Sequence, residues 1–207
     1  AEFLAAEGHE VTCHTAFPYY PAWRKRSEDA ARLHARERPA GVDLRRNFLY
    51  VPERPSALRR MLHELSFTVT AALSFLFGPR AEVVIVVMPP LTLALPITLI
   101  ARLKRSRVLL HVQDLQPDAA IEFGMLKPGL LASLMLRVER WSYALADRVS
   151  TISEGMRARI VAKGIPPAKV EVFRNWANDD LVCKRLWNRQ ATSREARFRS
   201  CSFRWRL

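Results

Sequence analysis

Asp114 and Asp118 stand four residues apart in His111-Val-Gln-Asp-Leu-Gln-Pro-Asp118, directly behind the apolar run Val108-Leu109-Leu110. Such a run reads as a buried parallel strand, and open α/β sheets bind ligands beyond the carboxyl ends of their strands. The two carboxylates are therefore placed for acid/base work or for hydrogen bonds to substrate hydroxyls. They suit local structure equally well, with Asp118 capping the next short helix and Asp114 shaping the turn. His111 lies nearer the strand interior. Alone it reads as a hydrogen-bonded structural histidine, and Asp114 three positions on gives it a partner for chemistry.

A second polar step, Ser153-Glu154-Gly155, falls at an expected strand-to-helix junction. Free backbone N–H groups at a helix start suit an anion or polar ligand, and simple capping accounts for the same residues. Other chemistries lack their patterns. The seven glycines are scattered, without G-x-G-x-x-G or Walker spacing. No Ser–His–Asp set with a nucleophile elbow occurs, and no His, Cys and carboxylate residues fall at zinc-ligand spacing. Neither a metal nor a cofactor is expected. Met61, Met125, Met135 and Met156 sit among apolar neighbours and read as core.

The elements that must position these residues alternate. Residues 1–7 read as the last turns of a helix stopped by Gly8, and 10–15 as a strand. Residues 16–41 read as irregular, with Phe17-Pro-Tyr-Tyr-Pro21 ahead of the basic run Arg24-Lys25-Arg26. A second strand is expected within 42–51. Helix 56–77 places Leu58, Met61, Leu62, Leu65, Val69, Leu73 and Leu76 on one face, and Gly78-Pro79 ends it. Strand 82–87, a helix to about residue 104 and strand 107–112 follow. Beyond Pro128-Gly129 a helix carries Leu131, Leu134, Val138, Trp141 and Leu145 as a buried stripe. Residues 148–152 form a short strand. Thr151 and Glu154 fit a capping box for the helix that ends at Gly164, and 169–173 close the series. This alternation predicts the α/β class, a Rossmann-like doubly wound parallel sheet.

The formal net charge is +13, and its location matters. Residues 183–207 hold eight Lys/Arg against one acid, so about half of the excess lies in the last 25 residues. Apolar periodicity is lost there, which predicts a domain over 1–182 and a basic irregular tail, disordered or out of frame. The alternative function is a non-enzymatic binding module whose aromatic, Arg-rich tail grips nucleic acid or an anionic membrane. Nothing in the tail specifies a groove or a register, which disfavours nucleic acid. Three cysteines without C-x-x-C spacing predict a reducing, cytoplasmic setting. Residues 83–101 run without a charge and match a membrane span in length. Pro89-Pro90 and Pro96 instead favour a strand followed by a helix that opens at the prolines.

Taken in order, the segments Ala1-Glu-Phe-Leu-Ala-Ala-Glu-Gly-His-Glu-Val-Thr12, Phe17-Pro-Tyr-Tyr-Pro21, Val87-Met-Pro-Pro-Leu91, the Asp114 motif, Asp147-Arg-Val-Ser-Thr-Ile-Ser-Glu-Gly-Met156 and Lys169-Val-Glu-Val-Phe-Arg-Asn-Trp176 carry a resemblance. So does Arg59-Arg-Met-Leu-His-Glu-Leu-Ser-Phe67. Together they resemble the N-terminal half of a bacterial glycosyltransferase family 4 enzyme with the GT-B fold. The subgroup they are most similar to builds colanic acid and O-antigen and includes N-acetylfucosamine transferases.

The resemblance implies the acceptor-facing domain of a retaining sugar transferase that needs no metal. Its nucleotide-sugar donor would sit mostly in a second domain, and its acceptor would be a lipid-linked pyrophosphoryl sugar at the inner membrane face. Asp114 and His111 would line the cleft as catalytic residues. Tyr19, Tyr20, Gln116, Asp118, Ser153, Glu154 and Asn175 would contact substrate. The basic run near Tyr19-Tyr20 would suit peripheral contact with an anionic membrane. The family's first strand and its C-terminal domain are not matched. The chain is thus expected to be a fragment, inactive alone, with open sheet edges or a filled gap where the strands of 10–15 and 82–87 lose a shared neighbour.

Overall fold

A computed structural model of the chain describes residues 1–175 apart from Pro55 and Pro128. The chain divides into two units, Ala1–Phe173 and Arg174–Leu207, and of the second only Arg174 and Asn175 are described. The basic tail of 183–207 lies outside the described residues.

The first unit is α/β. In chain order it contains α1 (Glu2–Ala6), β1 (Thr12–Ala16), β2 (His34–Glu37), β3 (Asp43–Asn47), α2 (Ala57–Leu76), β4 (Val83–Met88) and α3 (Leu91–Leu103). There follow β5 (Arg107–Val112), α4 (Gln116–Glu122), α5 (Leu130–Leu145), β6 (Arg148–Thr151), α6 (Glu154–Ala162) and β7 (Val170–Val172). Four strands form a parallel sheet in the order β4-β5-β6-β7, the alternation of strand and helix that the sequence predicts. Three more form a separate sheet in the order β1-β3-β2. Among the described residues β1 pairs only with β3, and β4 only with β5, so both expected open edges are present.

The core lies on one face of the four-stranded sheet. Val108, Leu110 and Val112 of β5 are all but inaccessible and pack with Val86, Met88, Val149, Ala101 and Tyr143. The other face is barer. Val83, Ile85 and Val87 alternate with the buried positions of β4 and remain 44–56% exposed. A strand whose every residue is apolar is thus covered on one side only.

Several expectations are corrected. Residues 16–41 are not wholly irregular. They contain β2, antiparallel to β3 and held by ion pairs from Arg36 to Asp43 and from Arg46 to Glu37. Thr151 does not cap α6, because it is the last residue of β6 and fully buried. Ser153 is the cap instead, its Oγ accepting from the Met156 N–H at 3.3 Å. Pro90 caps α3, but Pro96 lies in its interior rather than its first turn. The stripe expected to be buried on α5 is half turned out: Leu131, Leu134 and Trp141 are 48–55% exposed, and Ala132, Glu139, Ser142 and Tyr143 face inward.

The inward side of α5 carries a buried charge. Glu139 is inaccessible to solvent, accepts from the Tyr143 hydroxyl at 2.8 Å, and accepts from Lys163 Nζ at 2.5 Å. Lys163 also donates to Asp118 of α4. Gly164, at φ +91°, ends α6 immediately after Lys163, a backbone conformation that glycine adopts without penalty. One ammonium group therefore ties α4, α5 and the end of α6 together. Burial raises the Glu139 carboxyl above its usual range although Lys163 opposes the shift. Replacing Lys163 with Met should destabilise the unit by about 3–5 kcal/mol, because it strands a buried carboxylate. Adding Glu139→Gln should recover part of that loss. Denaturant melts of the three variants measure both effects, and equal stability of parent and Lys163→Met would contradict this role.

His14 of β1 meets Phe75 of α2 edge-on at 5.9 Å, and its Nδ1 is buried without a partner. Burial, reinforced by the Arg45 guanidinium, lowers its pKa to about 4 from an ordinary value of about 6.5. A depressed folded-state pKa favours the neutral ring. Its contribution is therefore complete above about pH 6.5 and is lost as pH falls through about 4. Unfolding midpoints at pH 7, 5.5 and 4.5 should fall more steeply for the parent than for His14→Gln. Parallel curves would contradict the assignment.

Candidate functional site

The parallel register places Val87, His111 and Ser150 side by side across β4, β5 and β6, near the carboxyl ends of the strands. His111 is half-buried. Its Nδ1 lies 2.9 Å from the Ser150 Oγ, and the Phe173 ring meets it edge-on at 6.1 Å. Burial lowers its pKa, so the ring is neutral at physiological pH, with one donor and one acceptor nitrogen. Ser150 was not among the residues expected at the site. It becomes visible only when β5 and β6 are aligned as parallel neighbours.

The four polar residues that follow divide into two pairs. Gln113 continues the ladder through its N–H to the Met88 carbonyl and is exposed. Asp114 is exposed beside it, and among the described residues no hydrogen bond or ion pair engages its carboxylate. Gln116 and Asp118 point into the structure. Pro90 has no side-chain acceptor with which to cap α3, and Gln116 Oε1 takes that role, accepting from the Leu91 N–H at 2.7 Å. Asp118 is held by Lys163. Asp118 does not cap the short helix as the capping reading expected: it lies inside α4 and pairs with Lys163, the residue that follows α6.

Gln116 links the motif to α2. Glu64 of α2 has its carboxyl pushed up by burial, a rise that the neighbouring Gln116 side chain partly offsets. Beside Glu64, His63 donates through Nδ1 to the Tyr50 carbonyl at 2.6 Å and meets the Tyr19 ring edge-on at 5.1 Å. Trp23 completes this group, 5.7 Å from Tyr19. Tyr19 is thus part of a packed aromatic cluster, whereas Tyr20 is 75% exposed. Glu64 and His63 carried no site signal beyond their place in the resembling segment.

The remaining expected residues have other surroundings. Ser153 is occupied as the α6 cap, and Glu154 is an exposed first-turn acid 3.9 Å from Arg157. Asn175 is exposed and belongs to the second unit. A shallow, open depression is lined by Asp118, Leu136, Arg140, Ala162, Lys163 and Gly164, and neither His111 nor Asp114 borders it. Among the described residues no group of three or more His, Cys, Asp or Glu side chains is arranged to hold a metal ion. No described helix is long and apolar enough to cross a membrane.

Residues 1–176 match the family described as "Glycosyl transferase 4-like domain". Over 181 residues the chain is 38% identical to a protein of Escherichia coli (strain K12) designated a colanic acid biosynthesis glycosyl transferase, WcaI. That alignment takes in 85% of this chain and 44% of the relative, so the chain spans less than half of the relative's length. With most of its sequence and its α/β architecture in agreement, the chain belongs to the glycosyl transferase 4-like domain family.

Proposed function

We propose that the Ala1–Phe173 unit is the acceptor-side wall of a retaining, GT-B glycosyltransferase for cell-surface polysaccharide, of the colanic acid or O-antigen type. The observation that carries this reading is the state of Asp114. Two of its motif neighbours are committed to the frame, and among the described residues its own carboxylate has no partner at the carboxyl edge of a parallel sheet. A free carboxylate there accepts a hydrogen bond from an acceptor hydroxyl and orients it toward the anomeric carbon of a nucleotide-sugar. Neutral His111, braced by Ser150, lies three residues earlier on β5 and would give the wall a second polar contact. The nucleotide-sugar donor would be held mainly by a partner domain. The acceptor would be a lipid-linked sugar met at the cytoplasmic face of the membrane, by peripheral contact near Arg24-Lys25-Arg26.

The second reading, a binding module with a basic aromatic tail, rests on residues 183–207, which lie outside the described residues. No described feature favours nucleic acid.

A chimera that continues residues 1–176 with the remaining length of the Escherichia coli relative provides the test. Radiolabelled transfer to a lipid-linked acceptor should fall by about 10²- to 10⁴-fold in kcat with Asp114→Asn, since a positioned acid/base or orienting group is lost. Asp118→Asn and Ser153→Ala should lower stability instead and leave kcat within about threefold. The 207-residue chain alone should give no turnover. Full activity of the Asp114→Asn chimera would overturn the assignment of Asp114, and turnover by the chain alone would overturn the division of labour.

A further inference from the structure

Trp23 lies outside the core and is nevertheless held in one place. It sits in the loop between β1 and β2, with φ at +51°, a region that strains any residue carrying a Cβ. The loop is closed beside it, because the Arg24 N–H donates to the Tyr19 carbonyl at 3.2 Å. Two rings then fix the indole. Tyr19 meets it at 5.7 Å and 65°, and His63 of α2 lies 6.4 Å away, tilted by 43°. Tyr19 and His63 also meet each other edge-on, and the Nδ1–H of His63 is tied to the Tyr50 carbonyl. Despite these contacts the indole stays 55% exposed. A large aromatic ring that is strained into position and then left half bare adds little to the core. A surface for a ligand accounts for both features.

The place of the indole connects it to the motif. The loop leaves the carboxyl end of β1, where buried Phe17 anchors it. His63 and the next residue, Glu64, are close enough to interact electrostatically, and Glu64 neighbours Gln116. Gln116 caps α3 and stands two residues beyond Asp114. Trp23 therefore adjoins, through His63 and Glu64, the same edge at which the Asp114 carboxylate is presented.

The chemistry around the ring selects a class of ligand. The indole offers an apolar face of negative potential, while Arg24, His63 and Glu64 supply charged and hydrogen-bonding groups nearby. A pyranose has the complementary form. Its C–H face carries slight positive charge and stacks on an aromatic ring, and the hydroxyls at its rim need polar partners. An acyl chain would match the apolar face and leave the polar groups unused.

We infer that Trp23 is a stacking platform for the pyranose ring that carries the reacting hydroxyl of the acceptor. This rests on the proposed acceptor-side reading and adds a residue to it. The sequence pointed to Tyr19 and Tyr20; the structure gives Tyr19 the task of bracing Trp23. Stacking on the indole fixes the plane of the sugar, and Asp114 then orients one hydroxyl of a ring already held.

The test is an NMR titration of the full chain with citronellyl pyrophosphoryl hexose and with citronellyl pyrophosphate, which lacks the sugar. The Trp23 indole N–H signal, assigned by its loss in Trp23→Phe, should shift with the first probe and not with the second. Trp23→Leu keeps apolar bulk without a π face, and should weaken binding of the sugar-bearing probe about tenfold. Trp23→Phe restores a ring and should bind within about threefold of the parent. Neither variant should change affinity for the sugarless probe. Parent-like affinity of Trp23→Leu for the sugar-bearing probe would overturn the inference, as would an equal loss for both probes, which would assign the indole to the lipid or the pyrophosphate. If Trp23→Leu fails to fold, the parent signal decides, and an indole N–H unmoved by the sugar-bearing probe overturns the inference. Asp114 signals that move while Trp23 does not would sink this inference and leave the proposed function standing. A titration in which Asp114, His111 and Trp23 all stay unmoved would sink both.

Discussion

A carboxylate cannot remain ionised in a protein interior without a cation and hydrogen bonds to replace water. Glu139 meets that condition through Lys163 and Tyr143, and the arrangement of the helices behind the sheet follows from it. Because the same ammonium group also holds Asp118, the helix that begins at the end of the motif is fastened to α5 and to the end of α6. The loop at Gln113 and Asp114 is thus anchored on both sides, by the β5 ladder before it and by α4 after it. A side chain on such a loop is held in place without being consumed by the holding.

That division explains why one motif carries two kinds of residue. Gln116 and Asp118 serve elements 25 and 45 residues away in sequence, capping α3 and binding Lys163. Asp114 serves neither. Frame and candidate site follow one another along the motif, and the packing that immobilises Gln116 and Asp118 leaves the Asp114 carboxylate without a partner among the described residues.

Much of this was legible in the residues, and the exceptions share a cause. Strand β5 reads correctly to the residue, because a run of branched apolar side chains bounded by charged and polar ones has one sensible parse. Strand β2 does not, because His-Ala-Arg-Glu has no strand-like alternation and is held by ion pairs to a strand formed later in the chain. Periodicity located the stripes of α2 and α5 but not the side on which they lie, since the period measures how apolar residues cluster and not what covers them. The partner of Asp118 could not be read at all. A lysine that closes a buried ion pair looks, in sequence, like any lysine near a helix end. Ser150 and Glu64 were hidden for the same reason, each acquiring meaning only through a neighbour from another element.

The central claim is that the free end of the β5 motif, and not the depression behind it, receives the acceptor. The most direct measurement is an amide and side-chain NMR titration of the chain with a short-chain, water-soluble lipid pyrophosphoryl sugar. Perturbations centred on Gln113, Asp114, His111 and Ser150, with Glu139 and Lys163 unmoved, are the result this account predicts. Perturbations centred instead on Asp118, Arg140 and Lys163 would contradict it.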